Sequence, residues 1–122
     1  MGKSMVDAFA DAALNYAKNN GVLMTVCNAE PTNYTEASAT YKLADVVIDS
    51  ADFTGPADDT SGRKITTTQQ TDVPVDTTGT ATYVASCAAA TLILVTTCTS
   101  QGLTSGNTVT IPAYKDNIAD PT

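Results

Sequence analysis

The chain has 122 residues, 43% of them hydrophobic and only 16% charged, with a formal net charge of −7. That length holds one domain and one core, and the apolar content is too high for a chain without a fold. The six basic residues are scattered, which excludes a phosphate-tracking groove and with it direct nucleic-acid binding.

Threonine takes the place of the missing charge, at 22 residues, and all acidic residues except Glu30 and Glu36 are aspartates. Threonine is β-branched and suits a pleated surface, while Asp favours turns and caps over helix interiors. The composition therefore favours a turn-rich sheet whose uncharged surface is suited to contact. The acidity keeps such a surface soluble, or complements a basic partner.

Residues 4–20 read as the one amphipathic helix. Ser4 is placed to cap it with Asp7 three residues on, Met5, Phe9, Ala13 and Tyr16 recur at helical spacing, and Asn19-Asn20-Gly21 supplies a left-handed stop. The stripe either packs on the domain's own sheet or docks on another subunit. Val22 to Cys27 is a buried strand ended by a turn at Asn28 to Pro31, and Asn33 to Thr40 is turn-like. Tyr41 to Asp49 forms a second strand, and residues 54–62 an exposed loop. Arg63 to Val75 reads as one long polar strand, set near an edge by Pro74. Thr80 to Cys87 and Thr91 to Thr99 form a hairpin, with the apolar Leu92-Ile93-Leu94-Val95 placed centrally in the core. Thr108 to Ile111 closes the sheet, and the tail from Pro112 to Thr122, with Tyr114, is expected along a neighbour.

The expected fold is mainly β, an antiparallel β-sandwich or barrel-like sheet with one N-terminal α-helix. It forms a single domain over 1–122, made of the helix at 4–20, a sheet domain over 22–111 and a tail over 112–122. No apolar stretch approaches the roughly eighteen residues of a membrane span, and the N-terminus lacks the pattern of a secretory signal. Cys27, Cys87 and Cys98, odd in number and without C-x-x-C spacing, read as reduced thiols in apolar runs, neither a disulfide framework nor a zinc site.

Candidate chemistry is sparse. The sequence has no histidine, which removes Ser-His-Asp and Cys-His catalysis along with the commonest transition-metal ligand. It carries no phosphate-binding glycine loop and no nucleophile elbow. The pair Asp58-Asp59 lacks the spaced acids of a calcium loop and reads as an Asp-initiated turn. No catalytic residue, metal site or cofactor is expected, and the chain is read as a non-enzyme. Met5, Phe9, Ala13, Tyr16 and Tyr114 are the candidate partner contacts, since aromatics carry a large share of interface energy.

Several stretches carry a resemblance: Asp11-Ala-Ala-Leu-Asn-Tyr-Ala-Lys-Asn-Asn20, Thr25-Val-Cys-Asn-Ala-Glu-Pro31, Ser61-Gly-Arg-Lys64, Gly79-Thr-Ala-Thr-Tyr-Val84 and Thr104-Ser-Gly-Asn-Thr-Val-Thr-Ile-Pro112. Together they resemble small β-rich virion structural proteins of tailed bacteriophages, a group that includes head decoration (cement) proteins. The resemblance implies assembly in a host bacterial cytoplasm and residence in the virion. It further implies binding to the outer capsid surface through the major capsid protein or another virion protein, and a homo-oligomer with a trimer favoured. A tail, collar or fibre component, or a receptor- or carbohydrate-binding module built on Tyr34, Tyr41 and Tyr114, stays open as the alternative. No nucleic-acid or membrane partner is implied.

Overall fold

A computed structural model describes residues 7–60 and 62–118. Helix α1 (Asp7–Asn20) is followed by strands β1 (Leu23–Cys27), β2 (Lys42–Val47), β3 (Phe53–Asp58), β4 (Arg63–Thr67) and β5 (Gln70–Pro74). β6 (Gly79–Cys87), β7 (Leu92–Leu103), β8 (Thr108–Ile111) and β9 (Lys115–Ile118) complete the described chain. The architecture is mainly β, with antiparallel sheets in a sandwich-like arrangement and one N-terminal helix. The sheets run β2-β1-β6-β7, β3-β4-β9 and β5-β8.

The main core lies between these layers. Met24, Val26, Ala44 and Val84 from the four-stranded sheet meet Ile65, Val73, Val109 and Ile111 from the other two. The four-stranded sheet is apolar on its second face as well. Ala85 and Cys87 pack there on Ala37, which a π-helical turn at Glu36–Thr40 brings across the strands. Asn33 Oδ1 accepts the amide of Glu36 at 2.9 Å and starts that turn.

Several expectations are corrected. The first half of the loop expected over 54–62 is instead strand, Thr54 to Asp58 belonging to β3 paired with β4, because pairing to a neighbour outweighs local turn chemistry. The single strand expected over 63–75 is two strands in different sheets. The break falls at Thr68, whose amide donates to the Asp52 carbonyl at 2.7 Å, and Asp72 has a positive φ of 54°. Within the tail, Lys115–Ile118 is β9 of this chain's own sheet, antiparallel to β4. Thr67 pins it: its amide and Oγ1 both donate to the Tyr114 carbonyl, at 2.7 and 3.0 Å. The tetrad Leu92 to Val95 is half-buried on an edge strand, since among the described residues β7 has a strand partner on one side only.

Gly21 ends the helix for a different reason from the one expected. Its φ is not positive. A Cβ there would stand 2.8 Å from the Ala17 carbonyl oxygen, so only glycine allows the chain to turn this closely under the last helical turn.

Candidate functional site

Helix α1 has two apolar faces, and the structure uses the smaller one for folding. Ala10, Leu14 and Ala17 are buried, and small residues at that spacing let the helix approach β3, β4 and β9 closely. The bulkier stripe points away: Phe9 is 68% exposed and Tyr16 53%, with Ala13 exposed between them. The packing of this stripe on the domain's own sheet is thus corrected for Phe9, Ala13 and Tyr16. Their spacing was legible, but bulk gave the wrong side for the core. Met5 lies outside the described residues. Tyr114 is half-buried against the core, and burial, then the neighbouring Asp116 charge, raises its hydroxyl pKa. Phe9, Ala13 and Tyr16 therefore share an outward face that Tyr114 does not join.

The helix is held so that this face is fixed. Arg63 at the start of β4 donates from Nε and Nη2 to the two carboxylate oxygens of Asp11, at 2.8 and 3.2 Å, in a bidentate fork. Its Nη1 donates to Asp58 Oδ1 at 2.7 Å and stands 4.0 Å from Asp7. The hydrogen bonds it donates to Asp11 and then to Asp58 raise the guanidinium pKa further, so it stays charged. Lys18 Nζ adds a bond to the Gly55 carbonyl at 3.0 Å. Both ends of the helix are thereby tied to the β3–β4 hairpin.

Beside the helix, α1, β7 and β9 border a groove of about 480 Å³, lined by Tyr16, Leu92, Leu94, Asp116 and Ile118 among others. Asp116 stands opposite Ile65 in the ladder, so its side chain shares the inward face with that fully buried residue. Its Oδ2 has no hydrogen-bond partner among the described residues, and burial pushes the carboxyl up to about 6. Sequence patterning overlooked this carboxylate. The alternation Tyr114, Asp116, Ile118 was the available signal, placing an acid on the apolar side of a strand.

The remaining polar groups serve the fold. Asp59 Oδ2 accepts from Lys115 Nζ at 2.7 Å and from Asn117 Nδ2 at 3.0 Å, while Oδ1 accepts the Thr60 amide at 2.9 Å. The Lys115 hydrogen bond, then the Thr60 amide, holds Asp59 below the usual carboxylate range, as an Asp turn tied to β9 requires. The three thiols are free, with Cys27 and Cys87 buried and Cys98 half-buried. Burial raises all three pKa values, Cys87 to about 11, the opposite of what an activated nucleophile needs. Tyr34 and Tyr41 are half-buried, with Tyr34 packed on the Ala37 cluster.

The arrangement offers an exposed aromatic stripe on a braced helix, next to an apolar groove. No family model, curated protein or solved structure matches the chain.

Proposed function

We propose that the chain is a bacteriophage virion structural protein, a decoration protein that binds the outer capsid surface and stabilises the head without catalysing a reaction. The observation that carries this reading is the outward stripe of Phe9, Ala13 and Tyr16 on a helix fixed by the Arg63 fork. Exposed aromatics on a rigid element bind a partner without the entropic loss of ordering a loop. The major capsid protein is the partner in this reading, and a small homo-oligomer is the binding unit. Each contact is modest, and repetition over the lattice supplies avidity. Reduced thiols accord with folding in the host cytoplasm before incorporation in the virion.

The test is incorporation into particles made by the phage or prophage that encodes the chain. Wild type is expected on the head at a copy number that scales with the lattice. A few copies at one vertex or on the tail, or none in purified particles, would overturn the reading. The double variant Phe9→Ser/Tyr16→Ser leaves the fold intact, within about 0.5 kcal/mol for exposed positions. It weakens particle binding by at least about 2 kcal/mol, a factor of roughly 30 in Kd. Unchanged binding of the variant would remove the helix face from the mechanism.

A further inference from the structure

Sheet edges are where a β protein is most exposed to unwanted pairing, and natural edges are blunted by charge, proline, brevity or a covering segment. Most edges here follow that rule. β2 carries Lys42 and Asp45, and its outer side is taken by Val75 to Thr77, with the Asp76 and Thr77 amides donating to the Leu43 carbonyl at 2.8 and 3.1 Å. β3 carries Pro56 and Asp58, β9 carries Lys115 and Asp116, and β5 carries Asp72 and Pro74. β8 is neutral but only four residues long.

β7 breaks the rule. It is the longest described strand, at 12 residues, and stands at the edge of the four-stranded sheet, with β6 as its one strand partner among the described residues. It contains no charge and no proline, and the surrounding sequence from Thr77 to Tyr114 has no Lys, Arg, Asp, Glu or His. Both its faces are apolar along Leu92 to Val95: Ile93 and Leu94 reach the main core, Leu92 and Val95 the Ala37 cluster. Every one of these four side chains remains half-buried, the exposure expected where one further strand is missing.

We infer that β7 pairs antiparallel with β7 of a second copy, joining two four-stranded sheets into one of eight. Charge identifies the occupant. Two copies of a chain carrying −7 repel least along a neutral strand, and β7 lies in the one long neutral stretch of this sequence, with Lys115 and Asp116 of β9 as the charged residues that line the same groove. A basic partner finds no acid on this strand to recognise. Antiparallel pairing of identical strands about a two-fold axis supplies each outward N–H with an outward C=O, and the contact closes on itself instead of propagating. A continued sheet also covers the exposed halves of Leu92 to Val95 on both faces at once. The unit is therefore a two-fold dimer, in place of the trimer that the virion resemblance implies. This pairing concerns the isolated protein and stands apart from the capsid reading.

Light scattering coupled to size exclusion, at tens of micromolar, is expected to give twice the mass of one chain. Thr97→Lys/Thr99→Lys, at two exposed positions of β7, sets like charges against each other across the two-fold axis and returns a monomer with an unchanged circular dichroism spectrum. Thr108→Lys, on β8, leaves the dimer intact. A wild-type monomer or trimer, a dimeric Thr97→Lys/Thr99→Lys variant, or loss of the dimer in Thr108→Lys overturns the pairing. Amide hydrogen exchange on wild type gives a readout that needs no variant. The outward amides between Leu92 and Gln101 become protected as concentration rises through association, and exchange independent of concentration overturns it too.

Discussion

Asp116→Asn isolates the energetics of the groove. In the unfolded chain this carboxyl titrates near its ordinary 3.8, while in the fold burial pushes it up to about 6. Between those values the folded state binds a proton that the unfolded state does not, so stability rises as pH falls through 6 toward 3.8. Above pH 6 the fold carries the whole penalty of an ionised, unpaired oxygen. A rise of this size corresponds to about 3 kcal/mol, and the part-exposure of the side chain reduces that to about 1–2 kcal/mol. Asparagine keeps the shape and removes the charge. Its own buried amide carries some cost, but that cost is the same at every pH, so the quantity to measure is a difference of differences. Urea unfolding of both proteins at pH 7.5 and pH 4 should show the variant gaining about 1–2 kcal/mol on wild type at the higher pH relative to the lower. Glu36 and Asp59, whose pKa values hydrogen bonds lower, pull wild-type stability the opposite way at acid pH, but they do so equally in the variant. A stability gap independent of pH, or one that favours wild type more strongly at pH 7.5, would refute the burial argument.

Leu14 is the only large side chain on the buried face of α1, at 3% exposure. Leu14→Ala should destabilise the fold by about 2–3 kcal/mol in urea unfolding, the lower part of the usual range, because the adjoining groove lets the site relax; a loss under about 1 kcal/mol would contradict helix docking through this face. Arg63→Met keeps the aliphatic stem and deletes the fork to Asp11 and the bond to Asp58. Amides of α1 should then exchange faster while those of β6 stay unchanged, and an unaltered helix would show that Arg63 does not brace it.

The sequence was most legible where periodicity and pairing agree. The β6–β7 hairpin emerged from two threonine- and valine-rich runs around Ala88-Ala89-Ala90, and β1 from one apolar run before a proline turn. It misled where one signal has two causes. Leu92 to Val95 is continuously apolar because its residues are divided between two clusters, Ile93 and Leu94 on the main core and Leu92 and Val95 on the Ala37 cluster, and such a run reports two covered faces, not a central position. In α1 the bulky aromatics drew attention from the buried face, where Ala10 and Ala17 flank Leu14 and let the helix lie close to the sheet. β3 was concealed by Gly55, Pro56 and Asp58, turn residues that an edge strand tolerates. For the candidate site, the spacing of Phe9, Ala13 and Tyr16 was readable, but their exposure depended on which face the core had taken.

Charge divides the molecule into two kinds of surface. Lys42 on β2 pairs with nearby Asp45 and with Asp76, and three other basic side chains serve long-range ties, Arg63 to Asp11, Lys18 to the Gly55 carbonyl and Lys115 to Asp59. Those ties brace the helix and fix the β3-β4-β9 sheet, leaving a net acidic exterior on that side. The neutral β6–β7–β8 region has no such ties and relies on strand pairing and apolar contact. A partner meeting the helix side must therefore tolerate or complement negative charge, whereas association along β7 depends on backbone hydrogen bonds and shape. Raising ionic strength should weaken attraction between the acidic side and a basic partner and leave β7 pairing unchanged or slightly strengthened. Salt therefore separates the two proposed contacts, and binding by the helix side and pairing along β7 can each be tested without disturbing the other.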